Sequence, residues 1–388
     1  MDFEIPEELK MVQNSVRQFV KDELMDLERE ILGREGDPTT GRVALPPDEE
    51  RKLFEMVDDM GLWGISVPEE LGGPGLPLLG LCLVEEELAK TIVPFSFGDV
   101  SPILFDASEE QRQRYLQPLI TNEKRSCVAL LEGASDDPIS MATTAARENG
   151  DYVLNGRKLC MAHVTDPGDF TIVFAVTDKE KGVRGGVTCF LVDRDTPGYT
   201  VTGTGERAGR FAQVIEPIVL TFDNCRVPAA NVLGEDGKAF HLGAKWLPQR
   251  RIAKGARCVG AADRLLEICK EYTQNWAAFG HLIQERPSVH RDLADIAIGV
   301  HAARLMVYHA AFKADLEEDI HKETAMVKVF ATEMVERASD RATQLHGGPM
   351  YTRNLPMSRL CRNAVAASAS DQALELQRTI IAKDILRY

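Results

Sequence analysis

The hydrophobic period of this chain changes twice along its length, and that limits the folds open to it. Up to about residue 122 the apolar residues recur at helical steps; Leu9, Val12, Val16, Phe19 and Val20 mark one face of a first helix. From about residue 123 to 229 the pattern changes to β-rich runs at 169–176, 187–192 and 218–222, set between turn residues. No helical pattern of ordinary length separates those runs, which predicts an antiparallel β domain and not a doubly wound sheet. Beyond Val232-Leu233-Gly234-Glu235 the helical period returns in longer stretches. Leu293, Ile296, Val300, Ala303 and Val307 step by three and four, and Val327, Phe330 and Met334 continue the pattern. The expected fold class is α+β multidomain. It has an N-terminal α-helical domain over 1–122, a middle antiparallel β domain over 123–229 and a C-terminal four-helix bundle over 230–388.

Composition excludes several functions. With 388 residues and a net charge of −15, the chain has no general affinity for nucleic acid or for an acidic membrane surface. No run of about 20 apolar residues is present, so no membrane span is expected. The opening MDFEIPEELK is acidic and polar, unlike a signal or transit peptide, and the expected location is cytoplasmic. Eight cysteines are scattered without a C-x-x-C pair, as buried reduced thiols would be, and no metal site is expected. His290, His301 and His309 lie on a helical stretch without an H-E-x-x-H pattern. Gly203-Thr204-Gly205 lacks the strand-to-helix setting of a dinucleotide fingerprint.

The segment 344–387 is the most informative. Gly347-Gly348-Pro349 interrupts two helical patterns, and a glycine pair lets the backbone approach something closely. Ser368-Ala369-Ser370-Asp371 then precedes a final helix read as amphipathic, with Ala373, Leu376, Ile380 and Leu374, Ile381, Ile385 at helical spacing. Asp371 stands at the N-cap position of that helix. The residues alone leave open whether it caps the helix or does chemistry.

Gln344-Leu345-His346-Gly347-Gly348, Arg362-Asn363-Ala364 and the run 375–382 (ELQRTIIA) together resemble the C-terminal end of the acyl-CoA dehydrogenase family. The phrase 60–75 (MGLWGISVPEELGGPG) and the run 108–116, whose Ser108 and Gln111 predict a capping box, extend the resemblance over nearly the whole chain. The resemblance implies the architecture above and an FAD-dependent α,β-dehydrogenation of an acyl-CoA thioester. It places Asp371 at the family's catalytic glutamate, preceded by Ser370 in place of an aromatic residue. An aspartate reaches about 1.5 Å less far than a glutamate, which a bulkier or cyclic acyl group would accommodate. In other members the base opens the C-terminal bundle, where this chain has Arg250. Arg251 matches a family arginine near the substrate, and Ser135 a serine near the CoA pantetheine.

The same resemblance implies an eroded flavin site. Leu131 stands for a hydroxyl residue, Cys160 for a tryptophan that shields the flavin face, and Ala162 for a threonine at its edge. In the phrase R-x-x-F-G, the arginine that meets the neighbouring subunit's pyrophosphate is Trp276, and the threonine after the base is Ala373. Phe279, Gln344, Gly347 and Gly348 are retained. FAD binding weaker than the family norm is therefore expected. His163 stands for an asparagine near the flavin, and His346, just before the glycine pair, reads as a satisfied structural histidine or as one that faces a phosphate. A homo-oligomer, tetramer or dimer, is expected. Two other functions stay open: a flavin-poor enzyme doing non-redox acyl-thioester chemistry, and a degenerate partner subunit of a mixed tetramer.

Overall fold

Helix α1 (Glu7–Phe19) runs through a π turn, Val20–Leu24, into α2 (Met25–Arg34). Then come α3 (Pro47–Asp59), α4 (Leu78–Leu88) and two short pieces, α5 (Glu109–Gln111) and α6 (Gln117–Ile120). The strands are β1 (Ser126–Ala129), β2 (Thr144–Glu148), β3 (Asp151–Ala162), β4 (Phe170–Val176), β5 (Val187–Asp193), β6 (Tyr199–Thr204), β7 (Glu216–Val227) and β8 (Val232–Leu233). Helix α7 (Leu247–Asn275) leads into a small hairpin, β9 (Ala277–Ala278) and β10 (His281–Leu282). The chain ends with α8 (Pro287–Asp315), α9 (His321–His346), α10 (Met357–Ala369) and α11 (Leu374–Leu386). This computed structural model describes residues 4–34, 45–98, 100–132, 140–162, 168–182, 185–204, 216–244, 246–352, 355–369 and 373–386. Contacts group the chain into two compact units, Met1–Pro38 with Leu76–Val93 and Lys245–Tyr388, and Thr39–Gly75 with Pro94–Ala244.

In the first unit α4 is the axis. Every residue of α4 except Leu79 is buried, so it is enclosed on all sides, by α1, α7 and α8 among others. Its C-terminal turn nevertheless carries Glu85, Glu86 and Glu87, all buried. Consecutive helical residues point about 100° apart, so the three carboxylates face three different neighbours. Glu85 pairs with Arg257 of α7, Nη2 to Oε1 at 2.8 Å. Glu86 accepts from Arg304 of α8 at 2.7 and 2.9 Å and from the Tyr308 hydroxyl at 2.9 Å. Glu87 accepts from Arg17 at 2.7 Å and Gln13 at 3.1 Å, both on α1. At the other end of α4, Asp315 takes the backbone N–H groups of Leu78 and Leu79 at 2.6 and 3.0 Å, satisfying two donors the helix cannot use. Gly260 of α7 lets that helix touch α4, since a Cβ there would meet Glu86 O at 2.0 Å. Of the predicted α8 seam, Ile296, Val300, Ala303 and Val307 are buried and Leu293 is half-buried.

The final helix departs from expectation. Leu376, Ile385 and Leu386 are exposed, while Gln377 is buried. The two apolar sets, Leu374, Ile381, Ile385 and Ala373, Leu376, Ile380, lie on opposite sides of the helix, so one neighbour, α9, cannot cover both.

The second unit is built on one sheet in the order β6-β7-β3-β2-β4-β5-β8, with β1 beside β4. The sheet is largely antiparallel, as the sequence predicts, but β1 and β2 each run parallel to β4. A parallel neighbour needs a long connection, and the chain from β1 through β2 and β3 supplies it. Its inner face packs Val173, Phe190, Leu220, Phe222 and Tyr199 into one cluster, and the Ser108–Gln111 capping box forms.

Removing Arg304 leaves Glu86 buried with one partner fewer, so Arg304→Leu is expected to lower stability by about 3 kcal/mol. Arg29→Ala, in the exposed pair with Asp26, should leave the urea midpoint almost unchanged. Urea unfolding with unchanged m checks both, and equal midpoints for the two variants would contradict the buried-network reading.

Candidate functional site

The glycine pair sits where α9 stops. Gly347 adopts φ 60°, ψ −126°, where a side chain is strained, and the space beside both glycines is open for at least 4 Å. Gln344, Gly347 and Gly348 are all exposed. Behind them His346 is buried, its Nδ1 2.9 Å from Ala342 O and its Nε2 without a partner. Burial keeps its imidazole below the ordinary pKa, with the Ala342 hydrogen bond opposing. Its ring stacks on Tyr272 at 4.3 Å, and Tyr272 stacks on Trp276 at 5.3 Å.

Beyond the pair, α10 ends at Ala369 and α11 begins at Leu374. Asp371 and Ser370 lie outside the described residues. Lys328, buried on α9, donates to Ala367 O at 2.7 Å in the last turn of α10. An ammonium at a helix C-terminus meets unsatisfied carbonyls and the negative end of the helix dipole. It fixes the described chain three residues before Ser370.

Arg251 and Arg250 lie half-buried in the first turn of α7, which carries no acidic residue. At the far end of α7 the β9–β10 hairpin turns on Phe279 (φ 56°) and Gly280 (φ 83°), the paired left-handed geometry of a two-residue turn. Phe279 is 96% exposed.

In the second unit, Leu131 lies just past β1 and bridges Leu159, whose N–H donates to Leu131 O at 2.7 Å. A pair between buried Lys158 and half-buried Glu132 holds this point. Lys158 Nζ donates to Glu132 Oε1 at 2.7 Å and to Leu130 O at 3.1 Å. Glu132 also accepts from the backbone of Ala142 and Thr143, at 2.6 and 2.9 Å. Burial raises the Glu132 pKa, but these hydrogen bonds outweigh it and hold the carboxyl below its ordinary value. Burial lowers the Lys158 pKa against the pull of Glu132. Cys160 faces the core of the sheet with Cys127, and hydrogen bonding between the two thiols and burial push its pKa well up. Ala162 ends β3 opposite Glu216. Ser135 and His163 lie outside the described residues.

Glu132 and Lys158 stand inside family phrases, yet neither phrase reveals the pair they make; a lysine in the buried register of β3 was the available signal. Lys328 and Arg286 carry no local pattern that marks them.

Profiles described as acyl-CoA dehydrogenase N-terminal, middle and C-terminal domain match residues 6–123, 132–224 and 240–386. The chain belongs to the acyl-CoA dehydrogenase family. It is 35% identical to the (R)-benzylsuccinyl-CoA dehydrogenase of Thauera aromatica, over 100% of this chain and 97% of that protein. It is 32% identical to the mitochondrial short-chain specific acyl-CoA dehydrogenase of Rattus norvegicus, over 99% and 91%. The structure of a putative acyl-CoA dehydrogenase from Mycobacterium abscessus superimposes with a TM-score of 0.91 at 27% identity, covering 99% of each chain. The chain is accordingly an oxidoreductase of the class acting on the CH–CH group of acyl-CoA thioesters. Members of the family bind FAD. The exposed groups fit the dinucleotide end of such a cofactor: an amide at Gln344, open backbone at Gly347 and Gly348, and an aromatic ring at Phe279. Among the described residues no group of His, Cys, Asp and Glu could hold a metal, and no helix is long and apolar enough to cross a membrane.

A carboxylate whose folded pKa is depressed stabilises the fold above its unfolded pKa, and that contribution disappears as pH falls through the folded value. Glu132→Gln is therefore expected to be less stable at neutral pH and to lose less stability than wild type on acidification to about pH 3. Urea midpoints measured across that range check it; parallel curves would contradict the assignment.

Proposed function

We propose that the protein is an FAD-dependent dehydrogenase of an unusual, bulky or cyclic acyl-CoA, with Asp371 as the base that removes the α proton. The reading is carried by the full-length similarity to a dehydrogenase named for (R)-benzylsuccinyl-CoA, an acyl group bearing an aromatic ring. It is supported by the register of the C-terminal segment, in which Gln377 and the ELQRTIIA run set the base position at Asp371. The flavin, when bound, supplies the acceptor for the β hydride. Arg251 is assigned to the substrate, as is Ser135. Gln344, Gly347, Gly348 and Phe279 are assigned to the cofactor's dinucleotide end, and Leu131, Cys160 and Ala162 to its flavin end. A base must accept its proton within hydrogen-bond reach, and Lys328 supports this by anchoring the end of α10 that leads into the base segment.

A second reading, non-redox chemistry on the acyl thioester, draws support from Leu131 and Cys160. Neither side chain offers a hydroxyl to a flavin, and Cys160 faces the sheet core.

We also infer a homo-oligomer formed by second copies of the chain. Ile298, Leu305 and Phe312 recur every seven residues on α8 and are 67%, 43% and 56% exposed, which leaves an apolar stripe along a 29-residue helix. With the exposed Leu376, Ile385 and Leu386 of α11, this is more apolar surface than a monomer normally leaves bare.

Asp371→Asn is expected to reduce kcat by at least about 10²-fold while leaving acyl-CoA binding nearly intact, because the amide keeps the shape but takes no proton. Single-turnover flavin reduction measures it, and α-proton exchange with solvent does so for a protein without flavin. A variant within about threefold of wild type on both assays rules the assignment out. Light scattering should give a mass above that of one chain, reduced by Leu305→Asp; a stable monomer at micromolar concentration rules out the oligomer.

A further inference from the structure

The hairpin that joins α7 to α8 exposes an aromatic ring in a conformation that bulky residues avoid. Phe279 lies in the left-handed region and is 96% exposed, on a two-residue turn whose base is closed by Ile283 N donating to Trp276 O at 2.9 Å. Positive φ on a non-glycine residue persists where the surroundings enforce it, and such positions gather at ligand contacts. Arg286 comes back over this turn. Its guanidinium carbon is 5.9 Å from the centre of the Phe279 ring, and its Nη2 donates to Ala278 O at 3.4 Å. Among the described residues Arg286 joins no ion pair. The adjacent Glu285 lies instead 3.4 Å from His281 Nδ1.

Two further facts concern charge. Arg286 is the N-cap residue of α8, a 29-residue helix with Pro287 next and no acidic residue in its first turn. Val289 and His290 N–H donate back to Arg286 O at 3.0 and 3.2 Å and Pro287 has no N–H, so what favours an anion there is the positive end of the helix dipole, and a cation added at that end is repelled until an anion arrives. Position 276, ten residues back, offers no charge. Trp276 is 48% exposed and its ring is engaged in the stack with Tyr272 and His346.

We propose that Arg286 is the arginine of this protein that binds the FAD pyrophosphate. The charge carried in R-x-x-F-G phrases at position 276 is supplied instead from the start of α8, with the Phe279 ring as the apolar surface beside it. A guanidinium presents paired N–H donors that match two oxygens of a phosphate diester, and a charge-assisted contact of this kind is strong. The assignment rests on the flavoprotein reading above. It also changes what the loss of an arginine at 276 means, because the charge has moved within the same turn.

The test uses the full-length protein stripped of flavin and titrated with FAD at several salt concentrations, with light scattering confirming an unchanged assembly. Arg286→Gln is expected to weaken FAD binding at least about tenfold and to flatten its salt dependence. Adding Trp276→Arg to that variant should restore most of the affinity, which a purely structural role for Arg286 would not allow. Arg286→Lys, which keeps the charge and loses the fork, should fall between the two and serves if the glutamine variant fails to assemble. FAD affinity within about twofold of wild type for Arg286→Gln, or for Arg286→Lys where only that variant assembles with the same affinity and the same salt slope, overturns the assignment alone. A wild-type protein that binds no FAD overturns the flavoprotein reading with it.

Discussion

Three adjacent carboxylates buried on one helix set the arrangement of the whole first unit. Burying an ionised carboxylate is unfavourable unless a cation and further hydrogen bonds meet it. Glu85, Glu86 and Glu87 therefore require Arg257, Arg304 and Arg17 at fixed places, and those arginines belong to α7, α8 and α1. Hydrophobic packing alone would tolerate sliding of these helices along α4. Charge-assisted hydrogen bonds at 2.7–2.9 Å fix register and rotation together. Asp315 adds a lengthwise constraint by holding the N-terminus of α4 to the end of α8.

The same device recurs at smaller scale around the candidate site. Lys158 and Glu132 tie β3 to the chain beyond β1, and Lys328 ties α9 to the end of α10. In each case a buried ammonium satisfies carbonyl or carboxylate oxygens that would otherwise be stranded, and the chain segment it holds leads to a position proposed for the site. Rigid supports of this sort place reactive groups that sit on irregular backbone.

Much of the fold was legible because it follows from period. The α8 seam, the β4 and β5 runs and the Ser108–Gln111 cap each depend on residues within one local window, and each formed as expected. What was not legible depends on partners far apart in sequence. Glu86 and Arg304 are 218 residues apart, and no local rule assigns either to the core. The parallel pairing of β1 with β4 is likewise a property of connections and not of composition. In α11 the two apolar sets predict an amphipathic helix, but they occupy opposite sides, and Leu376 and Ile385 are exposed. Of the candidate site, the glycine pair, Gln344 and Phe279 were legible by phrase and stand exposed. Arg286 was not, since the role proposed for it depends on how the hairpin folds back over Phe279. Asp371 and Ser135 lie outside the described residues.

The enclosure of α4 bears on how the chain is made. Its glutamates leave the ribosome soon after Arg17, but Arg257 and Arg304 emerge about 170 and 220 residues later. Throughout that interval an 11-residue apolar helix carrying three negative charges has one of its arginine partners. Hydrated carboxylates keep such a segment soluble and discourage it from burying itself against the wrong surface. The charges that lock the finished unit would thus act first as a safeguard during synthesis, postponing collapse until the C-terminal helices arrive.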